Sequence, residues 1–306
     1  MTRRSRAGRF IRRVRTGDLG GGVVGAEPGG GRAAGAREAA MTDVIPVSAE
    51  WLTLRERADA RSRSRRLGMA AARMLRPGAV VHDLGSGTGS MMRWLAPLLH
   101  GPQTWVLHDW NPLLLEHAAA RPPSPEAVVR TSVKDVAELA AADLSGASLV
   151  TMSALLDVLT RDELEAIVRA CVATGAPCLF TLSVTGRVGL DPVGPGDGVF
   201  ASAFNSHQRR TVDGRRLLGP DAATSAIDLF ERAGWSVRTA ASPWRLDESE
   251  AALVAEWLDG WLGAAVEARP ALEEWAEEYR AVRTAQSTAG TLRVVVDHLD
   301  LLAWSP

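Results

Sequence analysis

Residues 80–90, VVHDLGSGTGS, carry an apolar strand straight into three glycines at alternate positions, Gly85, Gly87 and Gly89. Glycine permits a tight turn and lets a ligand's polar group approach the backbone, while the start of a following helix offers unpaired N–H groups. Strand, glycine turn and helix together make a general device for holding a nucleotide, and the order of the glycines separates the cofactors. A dinucleotide fingerprint requires Gly or Ala at position 90, where this chain has Ser90. A phosphate loop requires Gly-Lys-Ser/Thr, which does not follow.

Upstream of the glycines, residues 54–78, LRERADARSRSRRLGMAAARMLRPG, read as a helix: Leu67, Ala71, Met74 and Leu75 recur at helical spacing, and Pro77-Gly78 is the stop. Downstream, strand signals recur with helices between them: TWVLHDW, AVVRTSV, ASLVTMSA, APCLFTLSV, WSVRTAA and TLRVVVDHLDLLAW. In RDELEAIVRACVATG, Leu164, Ile167, Val168 and Cys171 form one helical face, and Thr160 with Glu163 makes a capping box. Strands alternating with helices predict an α/β fold, a mostly parallel sheet covered on both faces. Two segments interrupt the alternation. Residues 186–219 are rich in Pro and Gly and too long for a connector, which predicts a lid-like functional loop. Residues 246–287 read as a pair of helices broken at Pro270 and inserted before the last strand, with Leu272, Trp275, Tyr279 and Val282 as one stripe.

Composition bounds the partners. The chain has 306 residues, 46% hydrophobic and 23% charged, as expected of an ordinary globular protein. Residues 1–40 carry nine Arg against Asp18, Glu27 and Glu38, a net of +6, so the remainder of a chain with net charge -1 stands at -7. That leaves the body acidic and excludes a basic nucleic-acid surface there. The first forty residues hold almost nothing to bury and read as a disordered extension or a mis-assigned start; composition becomes globular at Met41, which opens the domain 41–306. Cys171 and Cys178 have no metal-ligand spacing and read as reduced and buried, and no metal is expected. No run reaches the roughly eighteen apolar residues of a membrane span, so a cytoplasmic protein is expected, a monomer or homodimer with no membrane or nucleic-acid partner.

VVHDLGSGTG resembles the first motif of class I S-adenosylmethionine-dependent methyltransferases: an acid, an apolar residue, then G-x-G-x-G. The resemblance runs from about Gly78 to Val184 and more loosely to the C terminus. It implies a Rossmann-like seven-stranded sheet whose last strand is antiparallel and inserted between the fifth and sixth, with S-adenosyl-L-methionine as cofactor. Gly85, Gly87 and Gly89 would line the cofactor's amino-acid and ribose moieties, and Asp83 would hold the loop or reach the methionine ammonium through water. Asp109, ending the second strand, would take the ribose hydroxyls, with Trp110 against the adenine face; Asp135 would accept from the adenine amino group, with Val136 beside it. These side chains also have structural uses, Asp83 and Asp135 as helix caps and Trp110 as core. The chain departs from the family at His82 and His108, where apolar residues are usual; each precedes its strand's acid, so the two imidazoles should meet on the opposite face, as a hydrogen-bonded buried pair.

Methyl transfer from a sulfonium requires an aligned nucleophile and a dry site, plus a base when the nucleophile is an alcohol or ammonium. The segments expected above the strands' carboxyl ends supply Ser153 and Asp157 in SALLDVL, and FNSHQRR in the lid-like loop. His207 is the candidate base, with Asn205, Gln208 and Arg209 as polar partners for substrate. SALLDVL lacks the N/D-P-P-Y/F pattern that base-modifying relatives use on a flipped base, which disfavours nucleic acid. The expected activity is methylation of a small-molecule O or N nucleophile; the alternatives are a cofactor-binding or regulatory protein without methyl transfer and, disfavoured by Ser90, a nicotinamide oxidoreductase.

Overall fold

Apolar side chains alternate along each strand, and the alternation sends them to two different cores. In a computed structural model that describes residues 47–306, Val150, Met152, Leu301 and Ala303 enter one cluster, while Leu149 and Leu302 enter another on the opposite face. The expectation of disorder for residues 1–40 lies outside the described residues. Parallel strands β1 (Ala79–Leu84), β2 (Gln103–Asp109), β3 (Val128–Val133), β4 (Leu149–Ser153) and β5 (Cys178–Asp191) are joined through helices, with β10 (Arg293–Trp304) and β8 (Ser236–Ala241) completing the order β3-β2-β1-β4-β5-β10-β8. The last strand is antiparallel and lies between the fifth and β8, as the resemblance implies. An eighth short strand, β9 (Trp244–Leu246), pairs with the start of β10 and was not expected.

The helices cover both faces. On one, α5 (Arg161–Thr174) and α7 (Ala222–Arg232) pack through Leu164, Ile167, Cys171 and Phe230; on the other, α2 (Arg65–Met74), α3 (Ser90–Leu95) and α4 (Pro112–Ala119) pack through Leu67, Met92 and Leu115. The Thr160/Glu163 capping box forms at α5: the Glu163 N–H donates to Thr160 Oγ1 (3.3 Å) and the Thr160 N–H to Glu163 Oε2 (2.8 Å). Thr160→Ala is expected to lower stability by about 1 kcal/mol, read as a shifted urea midpoint at unchanged slope; no shift would mean the cap is redundant. Cys171 and Cys178 are free and buried.

Three expectations about the chain path are corrected. The helix expected over 54–78 is broken in two, α1 (Ala49–Ser62) and α2, at Arg63-Ser64. The segment 186–219 is no loop: β5 continues to Asp191, then come α6 (Asp197–Gln208) and the small hairpin β6 (Thr211–Val212) and β7 (Arg215–Arg216). The helical pair is present as α8 (Ala251–Ala268) and α9 (Glu273–Thr288), with Trp257 and Trp261 stacked at 5.3 Å, but Val282 leaves the α9 stripe and stands exposed. These helices and α6 bury Phe200, Trp244, Trp261 and Tyr279 over the extended ends of β5 and β10, a core of their own. His82 and His108, on adjacent strands, meet as expected: Nδ1 of His82 lies 3.0 Å from Nε2 of His108, the rings stacked.

Candidate cofactor and active site

The β1 apolar run ends at Leu84, and the chain then turns through Gly85, Gly87 and Gly89 at φ +61°, +52° and +81°. This is the left-handed region, and at Gly85 a Cβ would also sit 2.5 Å from Leu155 Cδ2. Asp109, at the end of β2, ties the loop down: its Oδ2 accepts from the Gly87 N–H (2.8 Å) and its Oδ1 from the Asn111 N–H (2.9 Å). Burial raises this carboxyl above its ordinary range against those two bonds. Asp83 accepts from Thr151 Oγ1 at 2.7 Å and so joins β1 to β4, while its Oδ2 has no protein partner. Burial pushes Asp83 up to about 7.

Asp135 follows β3 and caps the 3-10 turn Val136–Glu138, accepting from the Ala137 N–H at 2.9 Å. It is exposed, its charge helps to raise Asp109, and the adjacent Lys134 N–H donates to the Asp109 carbonyl at 2.9 Å. Val136 is buried and Trp110 half-buried.

Beyond the loop on the β4 side lies a residue that the sequence reading passed over. Arg63, 3% exposed, donates from Nη2 to Ser90 Oγ (2.9 Å) and to Ser153 Oγ (3.0 Å), and Thr181 Oγ1 donates to Ser153 as well (3.0 Å). Nothing in ARSRSRRL distinguishes Arg63 from Arg61, Arg65 or Arg66; only the break between α1 and α2 turns it inward. That break is held by Asp300 of β10, fully buried, which accepts from the Ser64 N–H (2.7 Å), the Leu182 N–H (2.8 Å) and Ser242 Oγ (2.5 Å).

The residues expected to meet substrate divide. Asp157, in the 3-10 turn after β4, accepts from Gln208 Nε2 of α6 at 3.3 Å, and burial raises its carboxyl. His207 is a buried helical residue rather than a loop base: Arg210 Nη1 lies 3.1 Å from its Nδ1, and Glu267 Oε2 lies 3.3 Å from its Nε2. Burial, and next the Arg210 charge, hold this imidazole below its ordinary range. With both nitrogens facing charged partners, His207 is poorly set to take a substrate proton. Arg209 forks onto Asp221 at 2.6 and 2.7 Å and is no uncommitted substrate anchor, while Asn205 Nδ2 donates to the Gly186 carbonyl at 2.8 Å and its Oδ1 is buried without a protein partner. Trp244 is core, donating from Nε1 to Asp59 Oδ1 at 2.9 Å beneath Arg55. Among the described residues no three His, Cys, Asp or Glu side chains are grouped to hold a metal, and no helix is long and apolar enough to cross a membrane.

Buried polar atoms without protein partners gather around the glycine loop: Ser86 Oγ, Thr88 Oγ1, Asp83 Oδ2, and Nε and Nη1 of Arg63. Buried polar groups are ordinarily satisfied, so this set fits a polar, zwitterionic ligand lying over the loop.

Residues 81–177 match the family model described as a methyltransferase domain. Within those residues the chain carries a methyltransferase domain, and domains of that kind use S-adenosyl-L-methionine. Among solved structures it is similar to a methyltransferase of Geobacter sulfurreducens in complex with S-adenosyl-L-homocysteine, at 18% identity over 86% of this chain and 100% of that one, TM-score 0.44. It is also similar to one of Thiobacillus denitrificans with the same ligand (16%, 84% and 99%, TM-score 0.42) and to the cyclopropane synthase MmaA2 of Mycobacterium tuberculosis (14%, 78% and 81%, TM-score 0.43). No curated protein matches.

Proposed function

We propose that this protein methylates an oxygen or nitrogen nucleophile of a small molecule. The observation that carries the reading is the Asp109 carboxylate, fastened to the backbone of a left-handed glycine loop at the carboxyl edge of the sheet. Bound there, the cofactor supplies an electrophilic methyl group on a sulfonium. Gly85, Gly87 and Gly89 clear the approach, and each Asp109 oxygen keeps a lone pair for a ribose hydroxyl after its backbone bond. The second oxygen of Asp135 would accept from the adenine amino group, Trp110 and Val136 would flank the ring, and Asp83 would reach the ammonium through water.

On the substrate side we assign the proton to Asp157 in place of His207. A carboxyl raised by burial toward working pH is a better proton acceptor than an ordinary one, and the Gln208 amide orients it. Ser153 belongs with the cofactor end through Arg63, while Asn205 and Arg209 shape the α6 wall through Gly186 and Asp221. A small molecule in preference to a nucleic acid is supported by the sequence after β4, which lacks the grip used on a flipped base.

Calorimetric titration of the full chain with S-adenosyl-L-methionine, S-adenosylhomocysteine and NAD tests the cofactor end. The first two should bind, and Asp109→Ala should weaken both by roughly tenfold or more, the loss of charge-assisted hydrogen bonds. Binding of NAD alone, or of nothing, would sink the proposal.

A further inference from the structure

We infer that the methyl acceptor is a nitrogen carrying two hydrogens, an uncharged amino group, held by Gln208 and Asp157 in preference to a hydroxyl or an anion. The inference rests on the methyltransferase reading above and narrows it to nitrogen. Gln208 is 9% exposed, its Nε2 donates to Asp157 Oδ2 at 3.3 Å, and its Oε1 is buried without a protein partner. An ionised carboxylate only accepts, so this pairing settles which way the amide faces, with its nitrogen to Asp157 and its oxygen away from it. A buried acceptor left unpaired is costly, and one beside the glycine loop is completed by a donor from outside the chain.

Asn205 repeats the pattern one turn earlier on the same face of α6. Its Nδ2 is spent on the Gly186 carbonyl (2.8 Å), which fixes the amide in the same sense, and its Oδ1 is again buried and unpartnered. Asp157 adds carboxylate oxygens: among the described residues no side chain other than Gln208 hydrogen-bonds to it. The two arginines whose charges bear on Asp157 are engaged elsewhere, Arg55 with Asp59 (3.0 Å) and Arg210 with His207 (3.1 Å), and His207 turns its Nε2 to Glu267 (3.3 Å). The buried atoms left over on both amides are thus acceptors, next to a carboxylate.

The turn after β4 carries this group to the glycine loop. Ala154 lies in the left-handed region (φ +52°), a strained conformation for a residue with a Cβ, and its N–H is tied to the Thr181 carbonyl (2.9 Å). That turn lays Leu155 against Gly85, where a Cβ would fall 2.5 Å from Leu155 Cδ2, and Asp157 follows two residues on. Phe204, half-buried and four residues before Gln208 on α6, supplies an apolar surface on the same face of the helix.

Counting hydrogens selects the substrate group. A hydroxyl has one hydrogen and satisfies either Gln208 Oε1 or Asp157; an amino group has two, satisfies both, and keeps its lone pair free. A carboxylate or phosphate would set acceptor against acceptor. In the transfer, the nitrogen lone pair forms the new bond to the methyl carbon while the methyl–sulfur bond breaks with its electron pair on sulfur. The proton then shed by the cationic nitrogen passes to Asp157.

The test is an NMR-detected titration of the full chain, saturated with S-adenosylhomocysteine, with aniline, phenol, N,N-dimethylaniline and benzoate, a series of one shape whose polar group carries two, one, no and no hydrogens. Aniline should bind roughly 2- to 10-fold more tightly than phenol, the range of one neutral hydrogen bond, with N,N-dimethylaniline and benzoate weaker still. Gln208→Leu should remove the advantage of aniline over phenol, with S-adenosylhomocysteine affinity unchanged as a check of folding. Should that variant fail to fold, Asp157→Asn, which replaces one acceptor by a donor, should remove it. No binding of aniline, equal or tighter wild-type binding of phenol or benzoate, or an advantage that survives in either folded variant would overturn the inference. Failure of the wild type to bind S-adenosylhomocysteine would overturn the cofactor reading instead.

Discussion

Asp300→Ala is expected to lower the unfolding free energy by about 3–5 kcal/mol, the largest effect of any single change proposed here. The carboxylate lies fully buried on β10, between β5 and β8, and accepts from two backbone N–H groups and a hydroxyl, on three different segments of the chain. Alanine leaves the Ser64 and Leu182 N–H groups buried without acceptors, and each such orphan costs about 1–3 kcal/mol; Ser242 can turn its hydroxyl and recovers part of its loss. Arg63 also loses one of the charges that stabilise it in a dry environment. For a domain of this size the change corresponds to a fall in Tm of roughly 10 °C. Asp300→Asn keeps the volume and one acceptor oxygen and should fall about halfway between. A melting curve for Asp300→Ala within a degree or two of wild type would show that the α1–α2 break is held by something else.

Acidification is expected to destabilise the protein through its buried histidines, well before its carboxylates protonate in bulk. Burial pushes His108 down to about 4, with the neighbouring His82 adding to the shift, and it lowers His82 as well. The unfolded imidazoles titrate near 6.5, so between about 6.5 and 4 the unfolded chain binds more protons than the folded one, and stability is lost as the pH is lowered. Each histidine that stays neutral in the fold contributes a slope of about 1.4 kcal/mol per pH unit in that window. His298, also pushed down to about 4 by burial, acts in the same direction. Asp83 opposes them: raised to about 7, it contributes stability that is complete below its unfolded value near 3.8 and lost as pH rises through 7. Comparing the wild type with a His82→Leu/His108→Leu variant cancels Asp83 and His298. Between pH 6.5 and 5 the wild type should lose about 2 kcal/mol more than the variant, or somewhat above that if both rings contribute. Parallel stability curves would mean that the pair takes up protons without leaving the fold.

The core of α5, the capping box at Thr160 and the order of strands and helices could be read directly from residues 79–184, because helix and strand periodicity are local properties. The meeting of His82 with His108 needed one further step, the alternation of strand side chains combined with the strand order that the resemblance implies. The glycine loop was equally legible, since a left-handed turn after a strand admits few residues besides glycine. Segment 186–219 was not: its Pro and Gly residues look like a loop, yet β5 runs on because the start of β10 pairs with it, and α6 forms because Phe200 has Trp261 and Tyr279 to pack against. His207 was a sound candidate on a loop and a weak one on a buried helix face between Arg210 and Glu267.

What the sequence by itself determined is therefore the sheet's local elements, the left-handed glycine loop and the acids at the strand ends, all of which depend on neighbours a few residues away. What only the tertiary structure decided is where Arg63 points and that Asp157 meets Gln208 of α6. The first depends on the contact between Ser64 and Asp300, 236 residues apart, and the second on one between residues 51 apart, and contacts at such distances leave no trace in local pattern.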